Sequence, residues 1–157
     1  MKAPAVVVSL HIAPMGAAAM QSVNSVNAIA GRGLERDRYF NQTGTYSKQP
    51  GSGRHVTLIE IEALEALKRE YGVGVDAGQT RRNIVTRGAA LNHLVGREFA
   101  IGAVILRGTR LCEPCSHMEK LTVKGAMRGL IHRGGLRADV VTGGTIRVGD
   151  EITMVED

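Results

Sequence analysis

Glycine recurs along the whole chain, twenty times in 157 residues, without gathering into a low-complexity block. Each glycine tolerates backbone angles that tight turns require. Between the turns lie short β-branched stretches, so the spacing predicts many short strands joined by tight turns. Strands are expected over 5–12, 23–29, 56–59, 83–86, 99–106, 109–112, 136–142, 145–148 and 151–155, with Gly143-Gly144 and Gly149-Asp150 as turn signals. One segment breaks this pattern. Over 60–71, Ile61, Leu64, Leu67 and Tyr71 recur at helical spacing, Glu65 can meet Arg69 one turn on, and Gly72 supplies a stop. A helical turn is expected at 91–95, closed by Gly96. There is no regular β–α alternation, internal repeat or linker. The expected architecture is therefore one domain over 1–157, mostly β, a barrel or sandwich with a few helices.

The core of such a fold must be aliphatic. Hydrophobic residues make up 43% of the chain, yet there is no Trp and there are only two Phe and three Tyr. No apolar run approaches the roughly 20 residues that span a bilayer. The Ala17-Ala18-Ala19 run resembles a signal cleavage site, but only Lys2 precedes it as a positive charge. The expectation is a first strand, a cytoplasmic protein and no membrane partner. Two cysteines are too few for a secreted disulfide framework.

Charge is unevenly placed. The chain carries +5 at pH 7, but residues 81–147 hold twelve Lys/Arg against four Asp/Glu, a net +8. That half suits an anionic partner, nucleic acid or a phosphorylated small molecule. Few aromatic side chains are present to stack bases, so no nucleic acid is expected. The long polar segment 41–54 is a candidate functional flap, and it lacks the Gly-Lys-Ser/Thr ending of a phosphate-binding P-loop.

Cys112-Glu113-Pro114-Cys115 is a C-x-x-C pair, and four readings stay open. A dithiol redox pair would open a helix in a βαβ unit. Half of a zinc site would need partners such as His93, His117 or His132. A single reactive thiolate at Cys115 would gain from a helix start after Pro114 and from the positive field of Lys120 and nearby arginines. Such a thiolate attacks sulfur, carries a persulfide or binds a soft metal such as molybdenum. The fourth reading is two buried, inert thiols.

Three basic clusters accompany the cysteines. In Gly31-Arg32-Gly33-Leu34-Glu35-Arg36-Asp37-Arg38-Tyr39, Arg38 is suited to grip a phosphate while Asp37 orients it; the alternative is a solvated ion-pair loop. In Thr80-Arg81-Arg82-Asn83-Ile84, Arg82 and Asn83 offer charge and amide donors, although strict strand alternation would point them to opposite faces. In His132-Arg133-Gly134-Gly135-Leu136-Arg137-Ala138, Arg133 or Arg137 could meet an anion and His132 could act as an acid or base.

Taken in order, these segments resemble the MOSC family, the molybdenum-cofactor-sulfurase C-terminal domain. The resemblance runs from Gly33-Leu34-Glu35-Arg36-Asp37-Arg38-Tyr39 through Val56-Thr57-Leu58-Ile59, Arg82-Asn83-Ile84, Leu94-Val95-Gly96 and Phe99-Ala100-Ile101-Gly102. It continues with Cys112-Glu113-Pro114-Cys115, Gly134-Gly135-Leu136-Arg137-Ala138 and Gly149-Asp150, covering about 23–152. It implies a barrel like the pyruvate-kinase β domain and a cytoplasmic role in molybdenum-cofactor (molybdopterin) chemistry. It implies that Cys115 ligates molybdenum or carries sulfur, and that Arg38, Arg82 and, less firmly, Asn83 contact the cofactor. The sequence lacks the pyridoxal-phosphate domain of the sulfurases, so no pyridoxal phosphate is expected in this chain, although pyridoxal phosphate binding is attributed to the family. It also lacks the full extra barrel region of the larger amidoxime-reducing enzymes.

Two functional expectations follow, with a third of another class. The first is cofactor binding with Cys115 on molybdenum, serving the reduction of N-hydroxylated compounds with electrons from a partner protein, or cofactor delivery. The second is a sulfur carrier, with Cys115 taking persulfide sulfur from a separate desulfurase and passing it to an acceptor. The third is a non-enzymatic basic binding module, whose binding would weaken steeply with salt.

Overall fold

A computed structural model of the chain describes residues 4–16, 18–41, 55–112 and 126–155. In chain order its elements are strands β1 (Ala5–Ile12), β2 (Gln21–Val23), β3 (Ser25–Ile29), β4 (Gly33–Leu34) and β5 (Val56–Glu60). Helix α1 (Ile61–Tyr71) and strands β6 (Ile84–Arg87), β7 (Glu98–Ile101) and β8 (Val104–Leu111) follow. A one-turn helix α2 (Ala126–Gly129) and strands β9 (Leu136–Thr142), β10 (Gly144–Arg147) and β11 (Glu151–Met154) complete the fold. Short 3-10 turns lie at Ala77–Thr80 and Leu91–Leu94.

Seven strands close into a barrel in the order β1-β11-β7-β8-β9-β5-β6 and back to β1. Closure comes from the chain's first and last strands, with Ala5 opposite Ile152. Closure removes the open sheet edges that otherwise invite association. β1 uses one edge twice. Its first residues pair with β11, and its last, Leu10 to Ile12, pair with β2. On the other edge a bulge between Val7 and Ser9 adjusts its register against β6. A small sheet of β10, β3 and β4 stands beside the barrel. The expected strand 23–29 is divided between β2 and β3, and the expected strands 99–106 and 109–112 are redrawn as the β7–β8 hairpin, which turns after Ile101.

The lumen is filled by aliphatic side chains and one aromatic, with Leu10, Leu58, Ile84, Phe99, Leu106 and Leu136 buried together. Among the described strands, β5 and β6 are the one parallel pair, joined through α1, a β–α–β unit that the absence of regular alternation had not announced. α1 covers the outer faces of both strands. Ile59 and Val85 bury against Ala63, Leu64 and Leu67, which is why Val56-Thr57-Leu58-Ile59 has no polar face. Gly72 ends the helix at φ 68°, and its amide bonds the Leu67 and Lys68 carbonyls. Two details differ from the helical reading. Tyr71 is 49% exposed, because the buried stripe runs through Ala63, Leu64, Ala66 and Leu67. Glu65 meets Arg87 at 3.1 Å instead of Arg69, which turns to Glu70.

Candidate functional site

The sequence-marked residues gather at one barrel end, where β1 finishes, β5, β6 and β9 begin, and β8 finishes. The His11 amide donates to the Asn83 carbonyl at 2.8 Å, and the Cys112 amide to the Gly135 carbonyl at 2.7 Å. Arg82 and Asn83 precede β6, so strand alternation does not govern them, and both are buried.

Asn83 acts as a piece of backbone. Its Oδ1 accepts from the Thr57 amide at 3.0 Å and from the Thr57 hydroxyl at 3.2 Å, while Nδ2 donates to the His11 carbonyl at 3.0 Å. It thus joins β5 to β1 just before β6 enters between them. Arg82 braces the opposite side. Its Nε donates to the Gly134 carbonyl at 2.8 Å and its Nη2 to the Cys112 carbonyl at 3.0 Å. A planar guanidinium serves two acceptors in this way without bending. The brace holds the start of the Cys112-Glu113-Pro114-Cys115 segment against the turn before β9. Cys112 is a free cysteine, 2% exposed. Cys115 lies outside the described residues, as do His117, Lys120 and most of the segment 41–54.

Asp37 and Arg38 are also buried, at 0% and 5% exposure. Asp37 accepts from the Ala13 amide at 3.1 Å, from the Tyr39 amide at 3.3 Å and from Arg38 Nη1 at 3.0 Å. Arg38 Nη2 donates to the Arg81 carbonyl at 2.9 Å. The pair is therefore an internal knot and not a solvated loop. Arg137 stands elsewhere. On β9 it alternates with the lumen residues Leu136 and Ala138, which puts it on the barrel's outer side, in register with Thr57 and Arg110. His132 is exposed in a left-handed turn at φ 64°, its carbonyl accepting from Asn92. Among the described residues no group of three His, Cys, Asp or Glu side chains is placed to hold a metal, so Cys112, His93 and His132 do not form a zinc site.

Arg81 and His11 are the site residues that the sequence did not single out. Arg81 occupies the left-handed position after the 3-10 turn Ala77–Thr80, at φ 62°. Its Nη1 donates to the Ala18 carbonyl at 2.6 Å, while Nη2 is buried without a hydrogen-bond partner among the described residues. Burial, and next the charge of Arg38, pulls its pKa below the ordinary arginine value, so a bound anion would relieve both effects. Arg81 borders a cavity of about 420 Å³ lined also by His11, Met20, Ser22, Asp76 and Gln79. Asp76 is engaged in a capping box with Gln79. The one available sequence signal was the Arg81-Arg82 doublet. Its divergence, one guanidinium to the cavity and one to the Cys112 carbonyl, depends on the left-handed turn.

His11 is 5% exposed, its ring nitrogens 2.8 Å from Ser9 Oγ and 3.2 Å from Ser22 Oγ. Burial lowers its pKa from the ordinary value of 6.5. The unfolded chain therefore takes up this proton first as pH falls. The neutral ring's contribution to stability is complete above pH 6.5 and is lost as pH falls from there toward the depressed folded value. Urea unfolding at a series of pH values should show this loss in the wild type, and His11→Gln should remove that part of the slope. Parallel slopes in both proteins would contradict the assignment.

The sequence profile of the MOSC domain matches residues 45–153. No curated protein matches the chain. Among solved structures, the YUAD protein from Bacillus subtilis superposes with a TM-score of 0.79 at 17% identity, covering 97% of this chain and 96% of that one. YiiM from Geobacillus stearothermophilus gives a TM-score of 0.72 at 17% identity over 98% of this chain and 76% of its own. YiiM from Escherichia coli gives 0.67 at 17% identity over 100% and 71%. At these identities the likeness is one of fold.

Proposed function

The chain belongs to the MOSC domain family, and from that premise we propose that it binds the molybdenum cofactor at the Arg81–Arg82–Cys112 end of the barrel, with Cys115 as the thiolate ligand of molybdenum. The observation that supports this reading is the buried Nη2 of Arg81, which has no hydrogen-bond partner among the described residues, beside a cavity that Ser22, Asp76 and Gln79 also line. A buried donor of this kind is costly when unsatisfied and fits an anionic group such as a phosphate. Arg38 adds a second positive charge behind it through the Arg81 carbonyl. Thiolate sulfur is the soft ligand that suits molybdenum.

The protein's own part is placement. Arg82 holds the Cys112 carbonyl, three residues before Cys115 in the sequence. Arg81 binds and orients the anionic group, while the His11 ring, held between the Ser9 and Ser22 hydroxyls, forms part of the wall of the same cavity. When bound, the cofactor supplies a redox-active molybdenum centre, suited to reducing N-hydroxylated compounds with electrons from a partner protein. We place this activity in the cytoplasm. Among the described residues no helix is long and apolar enough to cross a membrane.

Protein purified from cells that make the cofactor should carry molybdenum and pterin. Cys115→Ser should lose the metal, and Arg81→Glu should lose metal and pterin together. A wild-type protein without molybdenum, from cells in which a control molybdoenzyme is fully loaded, would overturn the proposal. If that protein instead gained one sulfur atom in intact mass after incubation with a cysteine desulfurase, and Cys115→Ser did not, the sulfur-carrier reading would replace it.

A further inference from the structure

The other end of the barrel holds a second cleft of different chemistry. It lies where β1 begins and β6 and β11 finish, and it measures about 520 Å³, within the roughly 300–1,000 Å³ usual for small-molecule sites. Its walls mix polar and apolar surface, with the apolar share somewhat the larger. Ala89, Leu94 and Ile152 are part of the barrel core, Ala5 packs against that core, and Met154 is 43% exposed at the edge. Among the described residues, the charged or titratable side chains lining it are His93 and Arg97, and no Asp or Glu lines it.

Arg97 differs from its basic neighbours. Arg87 pairs with Glu65, Arg107 with Glu98 and Arg133 with Glu70. The Arg97 side chain is exposed at the cleft and makes no hydrogen bond or ion pair among the described residues. Glu60, whose carboxyl burial pushes above the ordinary carboxylate value, accepts at Oε2 from the Leu91 amide at 3.3 Å. The cleft thus sets the apolar side chains of Ala89, Leu94, Ile152 and Met154 beside the Arg97 guanidinium.

From this pairing we propose that the cleft binds a medium-chain aliphatic carboxylate, its tail on Ala89, Leu94, Ile152 and Met154 and its carboxylate at Arg97 and His93. The inference is independent of the molybdenum reading, because the two sites occupy opposite barrel ends. His11, at the cofactor end, bonds Asn83, whereas Ala5 and Gly88 border this cleft.

The test is a titration of the isotope-labelled full chain with sodium octanoate, followed by amide chemical shifts. Saturable shifts should centre on Gly88, Ala90, Leu94 and Thr153 and should spare Asn83 and Arg82. Each methylene removed should weaken binding about fourfold, so hexanoate should bind roughly 15-fold more weakly. Arg97→Glu should weaken octanoate about tenfold, and Met154→Asp should weaken it through the apolar wall. Octylamine, with the same tail and the opposite charge, should bind at least tenfold more weakly. Equal responses to octanoate and octylamine, unchanged affinity in Arg97→Glu, no saturable shift, or a self-associated chain whose amides at the cleft ignore octanoate would each overturn the proposal.

Discussion

Gly135→Ala is expected to lower the thermal midpoint by roughly 10 °C, through a loss of about 4 kcal/mol in a domain of this size. Gly135 sits at φ 117°, where an L side chain is strained. A β-carbon there would overlap the Leu58 carbonyl oxygen and approach its carbon at 3.1 Å. Neither side can yield easily. The Gly135 carbonyl accepts the Cys112 amide at 2.7 Å, and the next residue, Leu136, is in register with both Leu58 and Leu111. Strain of about 1–3 kcal/mol and overpacking of a similar amount therefore add. Gly31→Ala separates the two effects. Gly31 has φ 76° but no atom within 4 Å of a β-carbon, so it should lose only about 1 kcal/mol. Circular dichroism melts of the three proteins measure this. Similar midpoints for Gly135→Ala and Gly31→Ala would show that the Leu58 contact is not decisive.

Arg82→Met is expected to cost about 4 kcal/mol while keeping an unbranched apolar stem of similar length to the arginine stem out to Nε. The substitution removes the donors to the Gly134 and Cys112 carbonyls. Each buried acceptor left without a partner costs about 1–3 kcal/mol. Arg82→Lys keeps the charge but presents a single point of donation, so it should recover part of the loss and not all of it. Urea unfolding gives the energies. Thiol labelling gives the local consequence: Cys112, 2% exposed in the folded protein, should react faster in Arg82→Met than in the wild type. Full stability in Arg82→Met would show that the brace is dispensable. Full stability in Arg82→Lys would show that charge, and not the fork, is what matters.

Local signals explain why so much of the barrel was legible. β9, β10 and β11 follow the predicted stretches closely, because Gly143-Gly144 and Gly149-Asp150 mark turns that depend on only a few residues. α1 was legible from its periodicity and from Gly72. The site was legible as an inventory only. Arg38, Arg82 and Asn83 drew notice as candidate ligand donors, and the structure engages their side chains with the protein itself. The acceptors are the Arg81 carbonyl 43 residues from Arg38, the Gly134 carbonyl 52 residues from Arg82 and the His11 carbonyl 72 residues from Asn83. Nothing in a local window announces such partners.

The sequence by itself determined the strand-rich class, the turns, the single long helix and the residue types at the cysteine end, because each depends on neighbours a few positions away. The tertiary structure alone decided the closure of Ala5 onto Ile152, the parallel β5–β6 pair and the separate fates of Arg81 and Arg82. Those outcomes rest on contacts between distant segments. The fate of a guanidinium is set by which carbonyls reach it once the chain has closed.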